Sequence, residues 1–260
     1  MYALVIFYAE DRAMRLKGKT AVIIGGSGGI GLALAQAMDR EGARVAIVAR
    51  NRHKLDQAAS ALSEQTVLHA ADVNEPVAMD DMVASLTDKL GTPDILVNCQ
   101  GTTVIKPTLE ITREEFAEVM RTNIESVTFA SIAFGRDMIA RGSGSIINIA
   151  SLSAHRGWPL ATVYAMSKHA IIGLTKSLAA EWAPHGVRCN SISPGFFMTD
   201  LNREKMPEAR KQAALGRTPY ARFGNVDELA GAALYLASDE SRFVSGTDIN
   251  VDGGYLAAGI

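Results

Sequence analysis

Thr20-Ala21-Val22-Ile23-Ile24 runs into Gly25-Gly26-Ser27-Gly28-Gly29-Ile30-Gly31, and this junction decides the fold. The first five residues are small or β-branched and almost wholly apolar, the composition of a strand buried on both faces. The glycines that follow permit a sharp turn and a close approach of backbone to a phosphate. Helical spacing resumes over 30–42. Strand, glycine turn and helix in that order open a dinucleotide-binding βαβ unit, with the phosphate at the helix N-terminus. Gly25, Ser27, Gly29, Ile30 and Gly31 are the candidate cradle residues.

The same alternation continues along the chain. Short apolar runs at 20–24, 44–48, 66–69, 95–98, 145–149, 187–191 and 248–251 predict strands. Longer amphipathic stretches near 30–42, 51–63, 75–90, 112–141, 162–184 and 226–237 predict helices, and Thr112-Arg113-Glu114-Glu115 reads as a capping box opening the fourth. Strands alternating with helices imply parallel pairing and right-handed crossovers. The expected fold is therefore α/β: one doubly wound, Rossmann-type domain over 14–260, with a seven-stranded parallel sheet and helices on both faces. No linker, repeat or low-complexity run divides it. Residues 1–13 precede the natural start at Met14 and are expected to be disordered or a surface strand. Between about 195 and 223 the chain is irregular, with Pro207, Gly216 and Pro219 and a short helix expected over 204–214. So long an excursion after a strand's carboxyl end suits a substrate lid.

Composition narrows the function. The chain has 260 residues, 48% hydrophobic and 21% charged, with a formal net charge of −2. That balance gives no electrostatic argument for nucleic acid or an anionic membrane as partner. Tyr2–Ala9 is apolar but too short to span a bilayer, and it lacks the positive start of a signal peptide. Cys99 and Cys189, the two cysteines, lie in apolar runs. They predict buried free thiols in a reducing, cytoplasmic setting, with neither a disulfide framework nor a metal site.

The end of the second strand discriminates between cofactors. A carboxylate there would accept hydrogen bonds from the ribose hydroxyls of NAD(H). Val48-Ala49-Arg50-Asn51-Arg52 has none at Ala49, and Arg50 offers a planar fork suited to a 2′-phosphate. NADP(H) is accordingly preferred over NAD(H).

Tyr164-Ala165-Met166-Ser167-Lys168 carries the chemistry. On a helix, Tyr164 and Lys168 share a face, and a nearby cation favours the phenolate of a group whose ordinary pKa is about 10. Ser151 emerges from the tip of the fifth strand. A hydroxyl donor, a phenol and an ammonium suit proton transfer to and from an alcohol or ketone oxygen.

Taken together, these motifs resemble the short-chain dehydrogenase/reductases, over residues 15–257. The glycine motif matches at Gly25, Gly29 and Gly31, with Ile24 in place of the usual threonine. The resemblance implies that Asp72, followed by Val73, contacts adenine. The family's Asn-Asn-Ala-Gly appears as Asn98-Cys99-Gln100-Gly101, which carries over Asn98 and Gly101. It implies a catalytic set of Asn123, Ser151, Tyr164 and Lys168, in which Tyr164 moves the proton and Lys168 lowers its pKa and holds the nicotinamide ribose. An Asn at 123, mid-helix, also calls for a local kink or a bound water. Pro194, Gly195 and Thr199 match the stretch that closes over the nicotinamide.

The implied reaction is NAD(P)-dependent interconversion of a secondary alcohol and a ketone. Two groups within the family look nearest: gluconate 5-dehydrogenase-like enzymes and 3-oxoacyl-[acyl-carrier-protein] reductases. A sugar acid or other small hydroxy or keto compound is the preferred substrate, the acyl carrier the alternative. A non-catalytic dinucleotide-binding regulator is disfavoured by the complete Ser–Tyr–Lys set. His155 and Arg156 are candidates to meet a polar or anionic substrate, and Trp158, Phe196 and Phe197 to form an apolar wall. The resemblance also implies a homotetramer or homodimer pairing through 112–141, 162–184 and the C-terminal strand, with Tyr255–Ile260 reaching a neighbouring subunit.

Overall fold

Every connection between successive strands contains a helix, so all neighbouring strands pair in parallel. The computed structural model describes residues 14–199, 203, 206 and 208–258; the expected extension at 1–13 lies outside them. The strands are β1 (Thr20–Ile24), β2 (Arg44–Ala49), β3 (Val67–Ala70), β4 (Ile95–Asn98), β5 (Gly144–Ile149), β6 (Val187–Pro194) and β7 (Asp248–Val251). They form one sheet in the order β3-β2-β1-β4-β5-β6-β7. Between β1 and β4 the order reverses, which opens a crevice at the carboxyl ends of the strands where ligands bind in such sheets.

The described helices are α1 (Gly29–Arg40), α2 (Arg52–Ala59), α3 (Pro76–Leu90), α4 (Arg113–Met120), α5 (Ser126–Arg141), α6 (Thr162–Trp182), α7 (Glu208–Arg217) and α8 (Ala230–Ala237). Because side chains alternate along a strand, β1 sends Ala21 and Ile23 to one face and Val22 and Ile24 to the other. The first pair packs with Leu34 and Met38 of α1 and Leu234 and Leu236 of α8. The second packs with Met82 and Leu86 of α3, Phe134 of α5 and Leu178 and Trp182 of α6. Burial on both faces is why these strands read as unbroken apolar runs.

Several boundaries differ from expectation. The helix expected across 112–141 opens on its capping box, with Glu115 N–H donating to Thr112 Oγ1 at 3.2 Å and Thr112 N–H to Glu115 Oε2 at 2.9 Å. It is then interrupted by a π-helical turn at Arg121–Glu125. Asn123 lies in the middle of that turn with its amide engaged outside its own helix, which supplies the expected kink. The last helix begins as a 3₁₀ turn, Val226–Leu229. The lid helix runs Glu208–Arg217, later than 204–214, and 204, 205 and 207 lie outside the described residues.

Candidate active site

At the β1–α1 turn the shape is fixed by backbone. Gly25 has φ of +82°, and its N–H donates to Val48 O of β2 at 2.8 Å. A Cβ there would lie 2.9 Å from the backbone of Cys99 and Gln100, and one on Gly31 would run into the Gly25 carbonyl. Helix α1 therefore begins close under the turn. Gly28 caps it without a side chain, and its first turn holds no acid. Its leading N–H groups, at the positive end of the helix dipole, point into the crevice beside Ser27, Gly29 and Ile30. From the other side, the methyl of Thr199 comes within 3.7 Å of where a Gly29 Cβ would stand. Gly195 is pinned to β7, its N–H donating to Val251 O at 2.8 Å, with a Cβ excluded by Asp252. Pro194–Thr199 thus bridges from the end of β6 to the α1 turn.

Further along the crevice, Arg50 and Asp72 stand at the ends of β2 and β3, Arg50 Nη1 3.9 Å from Asp72 Oδ2. Arg50 is largely exposed, so this pair is weak and its guanidinium is open to another anion. Asn51, next in sequence, spends its side chain on capping α2. Asp72 Oδ1 accepts from Asn74 N–H at 3.1 Å, and Val73 packs on the α3 side of the core. A helix N-terminus without a side-chain cap, a turn with no room for a Cβ at Gly25 or Gly31 and an exposed guanidinium fit a phosphorylated dinucleotide. Asn98 behaves differently from its neighbours. Its amide donates to Asn148 Oδ1 at 2.9 Å and Ser131 Oγ at 3.0 Å inside the core, so its side chain ties the end of β4 to β5 and α5.

The proposed chemical residues converge at the ends of β4 and β5. Ser151 follows β5 and N-caps a 3₁₀ turn, Leu152–Ala154, with its Oγ accepting from Ser153 N–H at 3.1 Å. Tyr164 and Lys168 lie one turn apart on α6. Lys168 is buried, and its ammonium donates to Ile149 O at 2.8 Å. Asn123 is fully buried. Its Oδ1 accepts from Thr102 N–H at 2.8 Å, and its Nδ2 donates to Thr102 O at 3.0 Å and Ser167 Oγ at 2.9 Å. This clamp sets Gly101 between them: a Cβ on Gly101 would stand 3.5 Å from Asn123 Oδ1 and 3.7 Å from Lys168 Nζ.

The electrostatics correct one expectation. Burial pushes the Tyr164 phenol above its ordinary value, and the Ser151 hydroxyl, within hydrogen-bonding reach, pulls it part way back. The net direction is therefore upward, with burial outweighing any help from Lys168, whose ammonium stands 5.7 Å from the ring centroid and is itself pushed down to about 8 by burial. Cys99, partly buried beside it, is raised to about 11 by desolvation, and Cys189 in the core to about 12. Neither thiol is a nucleophile at neutral pH.

The apolar wall is larger than the sequence suggested and differently composed. Trp158 and Phe196 stack at 5.7 Å between centroids, and both meet Tyr255, at 6.2 and 5.6 Å; Phe223 closes the group edge-on to Phe196. Phe197 is buried in the core cluster that also holds residues of α1 and α8. Tyr255, expected in a tail reaching outward, is buried because Gly253 and Gly254, both at positive φ, turn the chain back. His155 is drawn inward to Asp248 at 2.9 Å, while Arg156 lies over the Tyr255 ring. Phe223, Tyr255 and Asp248 were missed because their partners are distant in sequence and no local pattern marks them. A cavity of about 550 Å³ lies behind this wall, between Arg156, Gly157 and Trp158 and the side of α6 that carries Thr162, Ala165, Met166 and His169, away from Tyr164 and Lys168.

The profile of a family described as enoyl-(acyl carrier protein) reductase matches residues 25–256. The chain belongs to the short-chain dehydrogenase/reductase family. Among its relatives in this family, gluconate 5-dehydrogenase of Gluconobacter oxydans is 37% identical over 243 residues, 92% of this chain and 95% of that protein. The 3-oxoacyl-[acyl-carrier-protein] reductase of Vibrio cholerae is 34% identical over 241 residues, covering 93% and 98%. The crystal structure of a gluconate 5-dehydrogenase from Burkholderia cenocepacia, in complex with NADP and tartrate, superimposes with a TM-score of 0.89 at 36% identity, over 95% of this chain and 98% of that one. As a short-chain dehydrogenase/reductase, the protein is an NAD(P)-dependent oxidoreductase acting on CH–OH groups.

Proposed function

We propose that the enzyme interconverts the secondary alcohol and the ketone of a small hydroxy or keto compound, a sugar acid foremost, with NADP(H) as cofactor. The observation that carries this is the convergence of Ser151, Tyr164 and Lys168 at the end of β5, beside an Asn123 clamp on the loop after β4. In reduction the Tyr164 hydroxyl gives its proton to the substrate oxygen, and in oxidation it takes one back. Ser151 Oγ donates to the same oxygen as charge develops there. Lys168 keeps N–H groups beyond the one spent on Ile149 O, for a ribose hydroxyl and for the charge left on Tyr164. Asn123 holds Gly101–Thr102 and α6 in register. A dinucleotide held by its pyrophosphate at the α1 turn would supply the hydride for reduction and receive it in oxidation.

Arg50, with no acid at Ala49, supports NADP(H), in keeping with the bound NADP of the Burkholderia relative. Gly25–Gly31 would hold the pyrophosphate with Thr199, and Asp72 and Val73 the adenine. Exposed Phe116, Phe129 and Met166 on α4, α5 and α6 support pairing into a homodimer or homotetramer. The relative from Vibrio favours a 3-oxoacyl thioester as the second reading. Steady-state kinetics on gluconate, a set of polyols and acetoacetyl thioester, each with both cofactors, separates the two. We expect a sugar acid or polyol to turn over fastest and kcat/KM to be higher with NADP(H). A faster thioester, or a preference for NAD(H), overturns the respective part.

A further inference from the structure

The Ser151 hydroxyl is useful only if its turn is held still, and that turn is short. Residues 151–155 close on two backbone bonds, Ala154 N–H to Ser151 O at 2.8 Å and His155 N–H to Leu152 O at 3.0 Å. Their leading end is fixed, because Ala150 N–H donates to Ile192 O of β6 at 2.8 Å. At the trailing end Ala154 packs with Val127, Ala150 and Ile171, but three residues of 3₁₀ geometry add only weak backbone bonding there. His155, the last residue of the turn, reaches back across the sheet: Nε2 lies 2.9 Å from Asp248 Oδ2 on β7 and 3.2 Å from Ser193 Oγ on β6. A carboxylate only accepts, so Nε2 carries the hydrogen. Asp248 is itself held, because its other oxygen accepts from the Ser191 hydroxyl, and its side chain is 9% exposed against 28% for His155.

We infer that His155 is a positioning residue: its bond to Asp248 staples the turn bearing Ser151 to the β6–β7 edge and so fixes where the Ser151 hydroxyl meets the substrate oxygen. This rests on the proposed role of Ser151. A site group displaced by a fraction of an ångström loses rate and not affinity, so the effect belongs in kcat. A His155 that touched substrate instead would show itself in KM.

The test compares His155→Asn with His155→Gln. Both are neutral amides on a partly exposed side chain, but only glutamine places an N–H where Nε2 stands. The first readout is hydrogen exchange over 151–157, which needs no substrate: exchange should quicken about ten-fold in His155→Asn and stay within about two-fold in His155→Gln. The second is turnover of the fastest compound in the alcohol panel. There, His155→Asn should lower kcat about ten-fold with KM unchanged, and His155→Gln should recover most of it. Asp248→Ala should match His155→Asn, and the two together should lose no more than either alone. Equal exchange in the two amide variants, a change confined to KM, or additive losses would each overturn the staple. Ser151→Ala is the control for the underlying reading. Full turnover from it refutes the role of Ser151, whereas lost turnover with normal His155→Asn kinetics refutes only the staple.

Discussion

At the β1–α1 turn the site is shaped by backbone that no side chain could replace, whereas at the β5–α6 end it is shaped by side chains drawn from separate segments. Gly25 and Gly31 leave no space for a Cβ, and the donors there are main-chain N–H groups. Around Tyr164, by contrast, the fixed points are the amide of Asn123 and the ammonium of Lys168, and the rings of Trp158, Phe196 and Tyr255 are likewise gathered from separate segments. The first region should set cofactor affinity and the second the rate and the choice of substrate. Mutations that cross this division break the comparison.

Tyr164→Phe should have the largest effect. Loss of the acid/base group removes about 10³-fold in kcat, while fluorescence titration should find NADPH affinity within about two-fold of wild type, because the phenol contributes nothing to the α1 turn. A comparable fall in affinity would merge the two regions. Gly31→Ala should act in reverse. Its Cβ meets the Gly25 carbonyl, overpacking the turn by about 1–3 kcal/mol. Thermal denaturation should show the lost stability and titration the lost NADPH binding. Smaller still, Arg50→Ala should raise KM for NADPH about 10- to 100-fold, the worth of a hydrogen bond to a charged group, and leave KM for NADH nearly unchanged. Equal losses with both cofactors would remove Arg50 from the 2′-phosphate.

The same division explains what was legible in the sequence. Glycine spacing, the Arg50 position and the strand periodicity are local, and the turn, the parallel sheet and the α1 approach follow from them. Tyr164 and Lys168 are also local, four residues apart on one helix. Asn123 was legible as a misfit, a helix-averse residue whose cost appears as a π turn. The aromatic group and the link from His155 to Asp248 join residues far apart in the chain, so their partnership exists only after folding. Phe197 shows the converse: next to Phe196 in sequence, it is buried in the core rather than joined to the ring group. The tyrosine pKa was misjudged for a related reason. Spacing puts a cation near the phenol, but burial, which spacing does not reveal, weighs more at this site.

The pH dependence of the two directions tests proton transfer through this site most directly. Tyr164, raised by burial, holds its proton through neutral pH and is ready to donate it. Lys168 is cationic below about 8 and loses its charge above it. For ketone reduction, kcat/KM should therefore be level from pH 6 to 7 and fall as pH rises past about 8, as the cation that steadies the phenolate left on Tyr164 is lost. For alcohol oxidation, Tyr164 must accept a proton, and kcat/KM should climb over pH 6 to 8 as its ionised fraction grows about ten-fold per pH unit. Opposite slopes between pH 7 and 9 are predicted; parallel or flat profiles would contradict proton transfer by Tyr164 beside Lys168.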